Sequence, residues 1–307
     1  MPGLRGSIFI LQRMPPWALY FLDRRIQRSL STKGKTLLST LSLSPVTLGN
    51  LLSGNRRIGR EIVVLEETGS TNDAAAQHGR AGAAEGLVIF AERQTAGRGR
   101  LGRVWESAAH QGLWFSMLLR PQWEQAHWSR LTTWAAVAVA RGLEAAQPGC
   151  RASIKWPNDI HLSGKKGVGI LCESVAGPDG YAVIGIGVNV NQTIDEFPPE
   201  LRLKATSLRE MAGPGAALLD RHAVAATLLR ELDALYPAVQ HGFERIVAEA
   251  QARSILMGRR ITIHDPLSTE EACAEALEPD GGLRVRRDDG STRVVSGGEV
   301  TLSGWQG

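Results

Sequence analysis

Cysteine is nearly missing from this sequence of 307 residues. The three present, Cys150, Cys172 and Cys273, are far apart and odd in number, which rules out a disulfide framework and a zinc-ligand spacing. A reducing, cytoplasmic setting is the expectation. His78, His110, His127, His161, His222, His241 and His264 stand singly, so no zinc site is expected. Long apolar runs are absent as well: those at 7–11 and 16–22 are interrupted by arginines well before the ~20 residues that span a bilayer, and no transmembrane helix is predicted. Aromatics make up only 6% against 34 glycines, and no internal repeat stands out. This composition points to many tight turns rather than a coiled coil or a collagen-like rod.

Acids are missing from the N-terminal stretch. Residues 1–60 hold ten Lys and Arg against one acid, Asp23, a charge of +9 that leaves −5 for the remainder. A head rich in Ser and Arg suits a solvated extension, with nucleic-acid contact, membrane contact and a targeting peptide as rival readings. Residues 1–46 have room for one short helix near 18–30, too little for a three-helix DNA-binding module. The segment is expected to be disordered or partly helical, and no specific DNA binding is expected.

Apolar material, at 43%, suffices for a substantial core and for one large or two unequal domains. Residues 61–67 (EIVVLEE) read as a strand. Ser70-Thr71-Asn72-Asp73 then opens an Ala-rich helix with an acid three residues after Ser70, in the manner of a capping box. Further strands are predicted at 86–93, 112–120, 152–156, 167–174 and 181–190, and helices over 128–146 and 219–236. A turn at Ser163-Gly164 lies between two of these strands. Short turns between successive strands predict an α+β fold with a mixed or antiparallel sheet and packed helices, because parallel neighbours need a crossover. From Gly258 the pattern changes to short strands at 260–264, 282–286, 292–295 and 299–302, separated by Asp280-Gly281 and Asp289-Gly290, which reads as a small β-barrel. The expected division is a basic extension over 1–46, a main domain over 47–256 and the barrel over 257–307.

Two segments carry chemistry. Gln94-Thr95-Ala96-Gly97-Arg98-Gly99-Arg100-Leu101-Gly102-Arg103 combines glycines, which let backbone approach a ligand, with three permanently charged forked donors. Such a loop suits phosphate and carboxylate. Gly97, Gly99 and Gly102 match G-x-G-x-x-G, but the dinucleotide fingerprint needs a helix directly afterward, and here a strand follows. The second segment is Lys155-Trp156-Pro157-Asn158-Asp159, followed by Lys166-Gly167-Val168-Gly169-Ile170-Leu171. Proline restricts the backbone before it and puts Asn158 and Asp159 at a strand end, where polar side chains can face a pocket. Taken singly, each segment is also what an ordinary surface loop or hairpin looks like.

Together, Ser70-Thr71-Asn72, the 94–103 loop with Trp105, the 155–159 run, the 166–171 run and Gly185-Ile186-Gly187-Val188-Asn189 resemble the biotin protein ligase family over about residues 47–303. The resemblance implies a class II synthetase-like catalytic domain with a C-terminal SH3-like barrel, in the form without an N-terminal DNA-binding domain. It further implies activation of biotin by ATP to biotinyl-5′-AMP and pyrophosphate, then transfer to a lysine of a biotin carboxyl carrier domain such as that of acetyl-CoA carboxylase. Both reactants of the first step are anions, so positive charge must bring them together.

By the same resemblance Lys166, Arg98 and Arg100 are the catalytic residues. Ser70, Thr71, Asn72, Gln94, Gly97, Arg98, Arg100, Lys166 and Gly169 bind biotin. Arg98, Arg100, Arg103, Trp105, Asn158, Lys166 and Asn189 bind ATP or the adenylate, with Trp105 stacking on adenine and Arg103 alternatively bracing the loop. Asp159 helps to position Mg2+, and the glycines at 185 and 187 let the biotin thiophene ring approach the strand. An exposed sheet edge offers a place for a homodimer or for the acceptor, and no contribution to ATP binding is expected from the C-terminal end. A nucleic-acid-binding regulator using the basic head and a binding module without turnover are the competing classes.

Overall fold

The computed structural model describes residues 42–265 and 268–302, and the expected basic extension lies, up to residue 41, outside them. The first described element is a short helix, α1 (Pro45–Leu51), capped by the Ser44 hydroxyl and started by proline. It straddles the boundary expected at residue 47. Leu43, Leu48 and Leu52 all pack into the main core.

Strands β1 (Glu61–Thr68), β2 (Leu87–Gln94), β3 (Leu113–Leu119), β4 (Ala152–Lys155), β5 (Asp159–Leu162), β6 (Lys165–Val175) and β7 (Tyr181–Val188) form one sheet in the order β1-β2-β3-β7-β6-β5-β4. The β1–β2 pair is parallel. Helix α2 (Thr71–Arg80) supplies the crossover that a parallel pair requires. The other pairs are antiparallel, so the sheet is mixed, as the turn spacing predicted. Strand β5 was not predicted. Ser163 and Gly164, with φ of 47° and 84°, make the positive-φ turn of the β5–β6 hairpin that the Ser-Gly pair suggested.

Side-chain alternation along these strands divides the two faces. Val88 and Phe90 of β2 and Phe115 and Met117 of β3 join the main core, under α3 (Arg130–Ala146), α5 (Arg221–Leu235) and α6 (Phe243–Ala252). A shorter helix, α4 (Leu208–Met211), precedes α5. Leu87, Ile89, Leu118, Tyr181 and Val183 face the other way and close a smaller core with Ala75 of α2. Small residues dominate α3 (RLTTWAAVAVARGLEAA). At Gly142 an added Cβ would stand 2.9 Å from Leu228 Cα, so glycine permits the close approach of α3 to α5.

The C-terminal segment forms a second, antiparallel sheet from β8 (Arg260–Asp265), β9 (Ser268–Leu277), β10 (Leu283–Arg286), β11 (Thr292–Val295) and β12 (Glu299–Leu302), in the order β11-β10-β9-β8-β12. This agrees with the expected SH3-like unit. Strand β9 was missed because STEEACAEAL has an alanine- and glutamate-rich, helix-like composition; pairing buries Ala272 and Ala274 and turns the acids outward. The Trp156 indole N–H donates to the Gly281 carbonyl at 3.0 Å, tying this sheet to the turn before β5. Among the described residues no helix is long and apolar enough to cross a membrane.

Candidate active site

The face of the sheet that carries α2 ends in a cavity of about 560 Å³ beside the C-terminal ends of β1 and β2. Size and mixed lining fit a small-molecule site. Strand parity explains the floor. Counting by twos from Leu118 and Val183 brings Ser116 and Trp114 on β3, Gly185 and Gly187 on β7, and their partners Leu171 and Gly169 on β6 to the same face. Trp105 lies across this floor, since a Cβ on Gly169 or Gly187 would come within 2.7 or 2.5 Å of its ring. Gly185 has a different neighbour: a Cβ there would meet Asn72 Oδ1 at 2.1 Å. The glycines assigned to a thiophene ring thus accommodate two side chains of the protein itself.

Lys166 reaches this face through a backbone irregularity. Ile160 pairs with Val168, but His161 pairs with Lys166, leaving Gly167 as an extra residue. A bulge re-aims the next side chain; without it Lys166 would follow Val168 and Ile170 into the core. Its Nζ stands 5.3 Å from the Trp105 ring centroid and 2.6 Å from Asp159 Oδ1. Lys166 is also zipped by backbone bonds to Lys204 and Thr206, on a segment whose Leu201, Leu203 and Ala205 form one lip of the cavity.

The opposite end is neutral and polar. Thr71 donates its backbone N–H to Gln94 Oε1 at 2.8 Å, and Gln94 Nε2 donates to Ser107 Oγ at 2.9 Å. Ser116, fully buried, is 2.7 Å from Thr71 Oγ1 and 2.6 Å from Asn72 Oδ1. Ser70 stands at the N-cap of α2 as predicted, but its side chain makes no cap hydrogen bond. It lines the cavity instead.

The three arginines divide their work. Arg98 grips Asp73 on α2 with two bonds of 2.6 Å; that hydrogen bond lifts the Arg98 pKa and holds the Asp73 carboxyl below its usual range. Arg100 turns inward to Asn158 Oδ1 at 3.5 Å, where burial lowers its pKa without discharging a guanidinium. Arg103 pairs with Glu299 on β12, which favours the bracing role. Burial also lowers the pKa of Lys155, next to Asp159 in the sheet.

Every predicted site residue except Gly97 lines the cavity. Gly97 sits behind Trp105, where a Cβ would meet the Trp105 carbonyl at 2.6 Å. Several residues already have work within the fold. Asn158 Nδ2 donates to the Ile170 carbonyl at 2.8 Å, and buried Asn189 donates to the Thr206 carbonyl at 3.0 Å. Asp159, expected at a metal, is engaged by Lys166. The described residues include no group of three His, Cys, Asp or Glu fit for a metal ion. Ser107, Ser116, Glu173 and Glu299 were not anticipated. Ser116 left a trace, as the single polar residue in the strand LWFSMLL; Glu299 comes from the C-terminal sheet, from which no contribution to ATP binding was expected.

The Biotin/lipoate A/B protein ligase family matches over residues 64–191. A biotin–[acetyl-CoA-carboxylase] ligase of Mycobacterium tuberculosis is 36% identical over 246 residues, covering 78% of this chain and 88% of the relative. A bifunctional ligase/repressor of Bacillus spizizenii is 36% identical over 242 residues, covering 78% of this chain and 73% of the relative. The structure of the Aquifex aeolicus biotin protein ligase in complex with biotin and ATP superposes with a TM-score of 0.67 at 29% identity, covering 79% of this chain and 98% of that one. With the arginine loop, the re-aimed lysine and the polar wall meeting in one cavity, these likenesses lead to one conclusion: the chain belongs to the biotin protein ligase family.

Proposed function

We propose that this cavity binds biotin with its ureido ring against Thr71 and Gln94 and its carboxylate near Lys166, and that ATP enters from the side of Arg100 and Asn158. The observation that carries the reading is the approach of Lys166 and Arg100 to one cavity whose far end is neutral and hydrogen-bonding. A ureido ring has two N–H groups and a carbonyl that need partners once desolvated. The biotin carboxylate oxygen attacks the α-phosphorus, forming a P–O bond as the bond to pyrophosphate breaks. Lys166 offsets the negative charge that gathers between carboxylate and phosphate. Asp159 holds the ammonium in place meanwhile, a positioning role for the residue assigned to magnesium. If Mg2+ accompanies the nucleotide, it would supply charge neutralisation at the phosphates, and Asp159 is the cavity carboxylate that could help to hold it beside Lys166.

In the second half, the amine of an acceptor lysine attacks the acyl carbon, AMP leaves with the anhydride oxygen, and the nitrogen loses a proton. The protein's task is to hold the two together and keep water out. Leu101, Val104 and Leu203 are 69%, 76% and 77% exposed, and all three stand at the cavity mouth. Closing these lips over the adenylate buries them. The acceptor in this reading is a biotin carboxyl carrier domain. The outer edge of β1, the end strand of the sheet, offers backbone for the acceptor or a second copy of the chain. Three free cysteines suit a cytoplasmic setting.

Biotin-dependent ATP–pyrophosphate exchange tests the proposal. Exchange should require biotin and fall by at least ~100-fold in Lys166→Ala, the scale on which loss of one electrostatic stabiliser is felt. Exchange without biotin, or unchanged in that variant, defeats it.

A further inference from the structure

Behind the polar wall the hydrogen bonds can run in one direction only. Asn72 Nδ2 lies 2.6 Å from Glu173 Oε2 and 3.5 Å from the Leu171 carbonyl. A carboxylate and a carbonyl only accept, so the amide nitrogen faces them and Oδ1 faces Ser116. Ser116 Oγ has one proton and two close neighbours, Asn72 Oδ1 at 2.6 Å and Thr71 Oγ1 at 2.7 Å. Asn72 Oδ1 has no proton to give, so the Ser116 proton goes to it. The contact with Thr71 is then a hydrogen bond only when Thr71 donates. Gln94 Oε1, at 3.0 Å, is the other acceptor within reach of that hydroxyl and keeps a lone pair beside the one that takes the Thr71 N–H at 2.8 Å. A proton sent there would leave the Ser116 and Thr71 oxygens facing each other lone pair to lone pair at 2.7 Å. With its proton turned toward Ser116, Thr71 Oγ1 presents lone pairs to the cavity. Gly185 makes room for the arrangement, since a Cβ would stand 2.1 Å from Asn72 Oδ1.

We propose that Glu173, Asn72 and Ser116 form a one-way hydrogen-bond relay that fixes Thr71 Oγ1 as an acceptor, so that Ser116 and Glu173 are positioning residues selecting a ligand with an N–H donor at that point. The inference rests on reading this wall as the ureido end of the cavity. The relay needs an acceptor at its far end rather than a charge. Glutamine at 173 keeps the direction, because its carbonyl still accepts from Asn72. An apolar residue there frees the Asn72 amide to turn over, donate to Ser116 and reverse the chain. Glu173 Oε1 is also 3.8 Å from the Arg98 guanidinium, so the relay ends where the arginine loop is fastened.

The test measures binding of biotin and of two cyclic-carbamate analogues, each with one ureido N–H replaced by a ring oxygen. Wild type should bind one of the two at least ~100-fold more weakly than biotin, because a site built around an N–H leaves its acceptor facing an oxygen lone pair. In Ser116→Ala and Glu173→Leu the Thr71 hydroxyl is free to donate outward. That ratio should fall at least tenfold in both, with the thermal midpoint close to wild type, while Glu173→Gln keeps the wild-type ratio. A general loosening of the pocket would weaken biotin and both analogues alike and leave the ratio unchanged. Wild-type binding of biotin with an unchanged ratio in Ser116→Ala and Glu173→Leu overturns the relay alone. Equal wild-type affinity for biotin and both analogues does the same. Failure of wild type to bind biotin at all overturns the site reading, and the relay with it.

Discussion

Arg98 and Arg100 are two residues apart, carry the same charge and meet different fates. Arg98 faces α2 and closes a forked pair with Asp73, whereas Arg100 faces the cavity and Asn158. The first fastens the loop; the second presents its charge to the cavity. Because the pair is more than a third exposed, solvent screens it and its contribution to folding is small. Its effect belongs to the bound state. Arg98→Gly and Asp73→Asn should both shorten retention of the adenylate and raise labelling of lysines on unrelated proteins by at least ~10-fold, with little change in thermal midpoint. The check is release of radiolabelled biotinyl-5′-AMP from the isolated complex, and retention equal to wild type in both variants would show that this pair does not seal the loop.

Among the elements, β2 joins the site to the core within three residues. Gln94 reaches the cavity, while Glu92, 1% exposed, binds Arg221 at 2.8 Å, His110 at 3.1 Å and the Leu43 backbone N–H at 2.5 Å. The His110 backbone also returns a hydrogen bond to the Glu92 carbonyl, so the two ends of the arginine loop are pinned together. Burial opposes the Glu92 charge, yet His110, Arg221 and Leu43 outweigh it and hold the carboxyl at about 2 instead of the usual 4.5. A depressed acid stabilises the fold above its unfolded pKa, and that contribution is lost as pH falls through the folded one. The window therefore runs from about 4.5 down to about 2, and the shift corresponds to on the order of 3 kcal/mol. Glu92→Gln leaves Arg221 buried without its anion and should destabilise at pH 7 by ~3 to 5 kcal/mol. Denaturant midpoints should show the gap from wild type shrinking steadily below pH 4.5; a gap independent of pH would mean Glu92 is not the charged partner.

Across the whole molecule the cavity is bounded by parts distant in sequence: α2, the arginine loop, the 155–159 turn, the 199–206 lip and β12. Lys166 is zipped to the lip and Arg103 to β12, so a ligand that engages both cations draws these walls together. Amide exchange at 97–105 and 199–206 should slow at least ~10-fold when biotin and ATP are added together, and less with either alone, measured by mass spectrometry on the full chain. Unchanged exchange in both segments would mean the lips do not close. The exposed Leu101, Val104 and Leu203 supply the driving force, because each apolar side chain covered contributes up to ~1.5 to 3 kcal/mol.

Much of this was written in local pattern. Alternation and turn residues sufficed for β1, β2, β3, β6 and β7, for α3 and α5, and for the change to short strands after Gly258. The glycine and arginine spacing marked the loop, and Lys-Trp-Pro-Asn-Asp marked the wall opposite. Local pattern failed where long-range pairing overrides composition. β9 has helix-like residues yet pairs with β8 and β10; β5 is four residues long and reads as part of a turn. It failed also where one contact outside the segment assigns a side chain's task. No spacing rule tells that Asp159 holds Lys166, that Gly185 makes room for Asn72, or that Arg103 finds Glu299 nearly two hundred residues away. Residue types and their order dictated which chemistry the chain holds, because charge, hydrogen-bonding capacity and backbone freedom are properties of single residues. Which atoms face one another, and so which way a proton points along Glu173, Asn72, Ser116 and Thr71, was settled when the strands took their register and a one-residue bulge turned Lys166 to the same face.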